Sequence, residues 1–266
     1  MTIFASNALN GKHALVTGST GGIGYETAKV LSKMGAAVTI TGRREEKLQE
    51  LKKDILESVP DAKIFSYKSD LTNEVEREEL VKAAEKENGF ISLLVNSAGI
   101  LGKGLVEETS QEELDRVMHV NYTVPILLTQ RIYEQMKVKK EGVVVNVSSL
   151  SGLRGTYAGT AYSGSKFALI GFTQSFALEA IKYGVRVNAV CPGYVETDMG
   201  RESIRNKGLR ENRSFEEQYK IVNEGLPSGR ITDPREVANT IAYLLTEAAS
   251  NIVGESVKIS GGSVMR

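Results

Sequence analysis

The chain has 266 residues, 41% hydrophobic and 25% charged, with 33 Lys+Arg against 33 Asp+Glu. That is the composition of a globular domain, and it leaves no charge excess for holding nucleic acid or an anionic membrane surface. A lone cysteine, Cys191, excludes an internal disulfide, the opening MTIFASNALNGKH lacks signal-peptide character, and no apolar run approaches the ~18 residues of a membrane span, so a cytoplasmic protein is expected.

The first β-branched run, 13–18, leads through Thr17-Gly18-Ser19-Thr20-Gly21-Gly22-Ile23-Gly24 into a helical stretch at 22–34. Glycines there let the chain turn sharply and let a pyrophosphate approach the free N–H groups of the helix start. The spacing is GxxxGxG rather than the general dinucleotide GxGxxG. The second run, 36–42, ends in Thr41-Gly42-Arg43-Arg44, where an NAD-binding chain would place a carboxylate for the ribose hydroxyl. Two guanidiniums instead favour a 2′-phosphate, hence NADP(H), with Arg43 as the contact; the alternative is a solvated start to the helix at 44–57. A third run at 63–68 precedes a helix at 73–88 marked by Asp70 and Thr72, and a fourth run follows at 91–96.

Thr109 and Ser110 open the next helical stretch, 110–137. Inside it Pro125 stands four residues after Asn121 and releases the Asn121 carbonyl from the helical ladder, freeing it to hold a water or simply kinking the helix. Lys139 and Lys140 offer either a docking charge for an acidic carrier protein or ordinary loop solvation before the fifth run, 142–148. That run ends at Ser148 and Ser149, neighbours that point to opposite faces. The helix at 157–182 carries Tyr162 and Lys166 one turn apart on one face. An ammonium so placed favours the phenolate and draws the tyrosine pKa down from about 10, suiting it to exchange a proton with a substrate oxygen near neutral pH. Ser149 supplies a second hydrogen bond to that oxygen. YxxxK also occurs at Tyr25–Lys29 and Tyr133–Lys137, read as surface pairs, because only Tyr162 follows a strand end bearing a serine. Tyr157, without a lysine partner, is read as pocket lining or packing.

The run at 184–190 leads to Cys191, expected to be buried, and then to a charged, strand-free segment at 196–228, read as a substrate lid or a solvated excursion. Its part at 200–213 carries Arg201, Arg205, Lys207, Arg210 and Arg213 against Glu202 and Glu211. Such a patch suits the phosphate of a carrier or coenzyme A, although Glu216, Glu217 and Glu224 restore neutrality downstream. Asp233-Pro234 starts the last helix, 233–248, before a strand at 255–260. His13 and His119 are isolated and read as structural, and no cluster has metal-ligand spacing. The β-α alternation predicts a single-domain α/β fold over 1–266, a doubly wound parallel sheet with helices on both faces.

Taken together, these motifs resemble the short-chain dehydrogenase/reductase family over nearly the whole chain. The resemblance implies a cofactor site at Gly18, Ser19, Thr20, Gly22, Ile23 and Gly24, extended by Arg43, by Asp70-Leu71, and by Asn96, Ala98 and Gly99 of Asn96-Ser97-Ala98-Gly99. It adds Pro192, Gly193, Val195 and a carboxamide-holding Thr197, with Lys166 on the nicotinamide ribose beside Tyr162. It implies Asn121, Ser149, Tyr162 and Lys166 as the catalytic set, a water at Asn121 linking Lys166 to solvent, and a homotetramer. Within the family, CPGYVETDM (191–199) most resembles 3-oxoacyl carrier-protein reductases and polyketide ketoreductases. The favoured expectation is reduction of a 3-oxoacyl thioester or related ketone; the alternative is a dehydrogenase of another small alcohol, polyol or steroid. A non-catalytic nucleotide-sensing scaffold on the same fold would be expected to lose a catalytic residue, and all four are present.

Overall fold

Short β-branched runs become strands here because helices cover both faces of the sheet they build. The computed structural model describes residues 3–102 and 104–265. The strands are β1 (His13–Val16), β2 (Ala37–Gly42), β3 (Ile64–Lys68), β4 (Leu93–Asn96), β5 (Gly142–Val147), β6 (Val185–Pro192) and β7 (Ser256–Ile259). They pair in parallel in the order β3-β2-β1-β4-β5-β6-β7. β5 and β6 are buried along their whole length, as strands sandwiched between helices must be.

Successive side chains of each strand enter different cores. Ala14 and Val16 of β1 pack with α1 (Gly22–Lys33), α2 (Glu45–Ser58) and α9 (Pro234–Leu245). Leu15 between them packs with α3 (Glu74–Asn88), α5 (Val124–Lys139) and α6 (Thr160–Ala180) on the other face. The order reverses direction between β1 and β4. In open α/β sheets this switch point leaves a crevice outside the carboxyl ends of the strands. Thr17 fastens its rim: the hydroxyl donates to Val95 O and accepts from the N–H groups of Ser97 and Ala98, at 3.0 and 3.2 Å.

Several boundaries differ from the sequence expectation for local reasons. The stretch 110–137 is interrupted: α4 (Gln111–Met118), capped by Ser110, passes through a π-helical turn at His119–Thr123 before α5. α3 is capped by Asn73, whose side chain accepts from Val75 and Glu76 N–H, rather than by Asp70 or Thr72. α6 starts at Thr160, three residues later than expected. The segment 196–228 forms α7 (Asp198–Arg210) and α8 (Phe215–Glu224), packed together around Ile204 and Val222 with Tyr194 and Leu226. Among the described residues no helix is long and apolar enough to cross a membrane. Lys139 and Lys140 lie before the first residue of β5, at the end opposite the crevice and about 20 Å from it along the strand. A carrier docked there would face away from the site.

Candidate active site

A cavity of about 980 Å³ opens at the carboxyl ends of the strands. One side is built by the turn after β1. Gly18 has φ +64°, and a Cβ on it would stand 2.8 Å from the Ala98 N, so only glycine lets this turn nest against the end of β4. The first turn of α1 has no acidic residue, and its N-cap, Gly21, makes no side-chain cap, so the helix start keeps backbone donors for an anion. Gly18, Thr20, Gly22, Ile23 and Gly24 line the cavity. Ser19 does not: it is fully buried and its hydroxyl donates to Val16 O, so its side chain shapes the turn instead of facing a ligand.

Arg43 and Arg44 line the far end, with Asp70 and Leu71 beside them. The Arg44 guanidinium donates to Thr20 O at 2.7 Å. Burial works to raise the Asp70 carboxyl, but hydrogen bonds from the Thr72 N–H and hydroxyl, with Arg43 and His119 nearby, outweigh it and hold the group below the ordinary range. Ala98 and Gly99 form part of the floor. Asn96 turns into the core, where its amide donates to Asn146 and Thr129 at 2.9 and 3.0 Å and does not line the cavity. Pro192, Gly193, Val195 and Thr197 make the opposite wall. The Thr197 hydroxyl caps α7 by accepting from Gly200 N–H, while its methyl lies against Gly22.

At the middle of the cavity stand Ser149, Tyr162 and Lys166. The one-turn spacing on α6 brings the Lys166 ammonium to 5.7 Å from the centre of the Tyr162 ring, and Lys166 Nζ donates to Val147 O at 2.9 Å. Ser148, pointing away from Ser149 as expected, donates to the Lys166 carbonyl. The expected lowering of the Tyr162 pKa is reversed by the protein's own groups. Burial, the dominant influence, raises it; the Ser149 hydroxyl hydrogen bond opposes this, and Cys191 adds to the rise. Burial likewise brings Lys166 down to about 8, opposed by Cys191. Both groups are desolvated in one wall, so each favours its neutral form. Tyr162 is thus a phenol at neutral pH, the form that can donate a proton.

Asn121 sits fully buried in the π-helical turn. Its side chain accepts from Ile100 N–H at 2.8 Å and donates to Ile100 O and to Ser165 Oγ. Ser165 in turn donates to the Tyr162 carbonyl at 2.7 Å. A Cβ on Gly99 would stand 3.3 Å from Asn121 Oδ1 and 3.4 Å from Lys166 Nζ, which places all three together. The sequence points to Asn121 through its carbonyl; the side chain is what ties the loop after β4 to α6. Ser165 escapes the sequence reading, although its place between Tyr162 and Lys166 and its back-bonding to residue i−3 are legible once the helix is drawn.

The other YxxxK copies lie outside the cavity. Tyr25 donates to Asp54, and Tyr133 packs edge-on against Phe176 with ring centres 4.9 Å apart. Tyr157 is 77% exposed and does not line the cavity, contrary to its expected pocket or packing role. His13 is structural, bonded to Gly89 O and the Thr39 hydroxyl. Cys191 is buried at the end of β6, its thiol pushed up to about 11 mainly by burial. Among the described residues no cluster could hold a metal ion. Arg154, Tyr194, Met199 and Ile221 also line the cavity, brought there by loops and by α7 and α8, and no spacing in the sequence singles them out.

A cleft at a sheet switch point, with an uncapped glycine-rich helix start on one side, fits a dinucleotide. Comparison with known proteins agrees. The short chain dehydrogenase family model matches residues 12–208. The chain is 34% identical over 257 residues to the 3-oxoacyl-(acyl-carrier-protein) reductase of Vibrio cholerae, covering 97% of this chain and 99% of that one. It is 32% identical over 257 residues to the D-beta-hydroxybutyrate dehydrogenase of Cupriavidus necator, covering 96% and 99%. The crystal structure of a single-substitution variant of the actinorhodin polyketide ketoreductase with NADPH superposes with a TM-score of 0.91 at 33% identity, covering 97% and 98%. The chain therefore belongs to the short-chain dehydrogenase/reductase family and is an oxidoreductase that uses a nicotinamide cofactor on CH–OH and carbonyl groups.

Proposed function

We propose that the protein is an NADP(H)-dependent ketone reductase whose favoured substrate is a 3-oxoacyl thioester or a related carbonyl compound. The observation that carries this is the convergence of Ser149 and Tyr162, over Lys166, in one cavity whose far end presents Arg43 and Arg44 instead of a carboxylate. The turn at Gly18–Gly24 holds the pyrophosphate of the cofactor, Arg43 its 2′-phosphate, Asp70 and Leu71 flank the adenine end, and Lys166 with the 192–197 wall holds the nicotinamide end. The bound nicotinamide supplies or accepts the hydride.

The substrate oxygen lies between the Ser149 and Tyr162 hydroxyls. As negative charge grows on it, Tyr162 transfers its proton and Ser149 donates a hydrogen bond, so both stabilise charge that exists only in the transition state. Tyr162, raised by burial, arrives protonated. Lys166, which titrates at about 8, is suited to stabilise the phenolate left behind and to return a proton to it. Asn121 and Ser165 keep the Tyr162 turn of α6 in register with the loop after β4.

A second reading is oxidation of a small hydroxy acid or other alcohol, favoured by the likeness to D-beta-hydroxybutyrate dehydrogenase. Acetoacetyl thioesters, ketones, hydroxy acids and polyols, each assayed with NADPH and NADH by cofactor absorbance, separate the two. Tyr162→Phe is expected to bind cofactor with unchanged affinity while turnover falls about 10³-fold or more. Retained turnover in that variant would sink the assignment. We also propose a homotetramer, because α6 is apolar outside as well as inside: Phe167 and Leu178 are 46% and 71% exposed on the same stripe as the open Gly164 and Gly171.

A further inference from the structure

Beyond Tyr162 the cavity continues under α7 and α8, between apolar walls that include Leu150, Tyr194, Ile221 and Leu226. Two cations enter this part, Arg154 from the loop after β5 and Lys207 from α7. Most other cations of the segment are already engaged. Arg201 pairs with Glu196 and lies over the Phe215 and Tyr219 rings, Arg205 lies 5.2 Å from the centre of Phe215, Arg213 pairs with Glu211, and Lys220 with Glu224. Arg116 lines the cavity too, but its guanidinium is bidentate to Glu113 at 2.9 and 3.0 Å. Among the described residues, Arg154 and Lys207 have no ion pair, side-chain hydrogen bond or ring contact. Lys207 is half-buried as well, so its ammonium is partly desolvated without a counter-ion.

The surroundings keep the positive sign. Burial raises the Tyr194 hydroxyl, but Arg210 and Arg154 act on it in the opposite sense, with Glu211 the one acid against them. Asp198 lines the cavity at the start of α7, nine residues and about 13 Å of helix before Lys207. Asp70 is occupied by Thr72 at the cofactor end. A stretch of cavity with apolar walls and two unpaired cations in its lining matches a ligand with an apolar or neutral middle and a charged tail.

We infer that the substrate carries an anionic group, phosphate or carboxylate, which Arg154 and Lys207 hold while its carbonyl lies on Ser149 and Tyr162. This rests on the ketone-reductase reading and narrows it. Arg154 and Lys207 set specificity; the chemistry stays with Ser149 and Tyr162. A phosphate would come from the arm of an acyl carrier or coenzyme A, a carboxylate from a free oxo acid.

The test uses one reacting group in three forms: the acetoacetyl thioester of neutral N-acetylcysteamine, that of 4′-phosphopantetheine, and free acetoacetate. Wild-type enzyme is expected to favour at least one anionic form over the neutral thioester by about tenfold or more in kcat/KM. Which form wins identifies the source of the charge. Arg154→Ala and Lys207→Ala should each lower that preference about tenfold, through KM rather than kcat, as for loss of one charged hydrogen bond. Arg154→Lys should recover part of it. Lys220→Ala, which removes the same charge from α8 where it pairs with Glu224, should leave the preference where it was. Reduction without charge preference, or a preference that survives both alanine variants, overturns the inference alone. No reduction of any carbonyl with either cofactor overturns the ketone-reductase reading and the inference with it.

Discussion

Arg43 and Arg44 are adjacent in sequence and differ in what is left for them to do. Arg44 has its guanidinium on Thr20 O, so it braces the glycine-rich turn. Arg43 is exposed in the cavity lining and makes no such bond, so its guanidinium is free for the proposed 2′-phosphate contact. Arg43→Ala is therefore expected to raise KM for NADPH about tenfold while leaving KM for NADH nearly unmoved, in initial-rate kinetics with both cofactors. An equal loss with both would place Arg43 in the turn instead. The Tyr162–Lys166 pair teaches a second lesson about single side chains. Spacing puts the two on one face of α6, but the sign of the pKa change depends on how much water each has lost, and burial wins.

Elements position these side chains through their ends more than their middles. The uncapped start of α1 faces the cavity, whereas α9 is closed by a reciprocal cap between Asp233 and Glu236. The Arg230 hydrogen bond, with help from the Asp233 N–H, brings the Glu236 carboxyl down to about 2 against the cost of its burial. Because the folded pKa lies below the ordinary 4.5, the stability from Glu236 is present above pH 4.5 and is lost as pH falls towards 2. Glu236→Gln should therefore be less stable than wild type by about 1 kcal/mol at pH 7, a cap-sized effect, with the gap closing near pH 2 in urea unfolding. A gap that persists in acid would assign the loss to packing. The joint between α4 and α5 shows the reverse case. Pro125 announces an irregularity, but only the π-helical turn at His119–Thr123 brings the Asn121 side chain onto Ile100 and Ser165.

For the protein as an assembled body, the apolar outer stripe of α6 predicts self-association. Light scattering is expected to give four chain masses, and Phe167→Glu to give a smaller species; a wild-type monomer would contradict the tetramer. The strand runs, the glycine-rich turn and the Ser149–Tyr162–Lys166 grouping are all legible in the sequence, since each rests on local periodicity or on spacing along the chain. A motif names positions without saying which way a side chain turns: the side chains of Ser19 and Asn96 turn inside, Ser19 to Val16 O and Asn96 to Asn146. Tyr157 departs from expectation for the same reason, facing outward from the loop before α6. Family, parallel sheet and the candidate reacting groups that meet in one cavity can all be read along the chain, because hydrophobic period, glycine turns and i,i+4 spacing act over a few residues. Which cations stay unpaired in the cavity, which polar groups the core consumes and which way Tyr162 titrates emerge only once the chain is folded. Those depend on burial and on partners distant in the chain, as Asn146 is from Asn96.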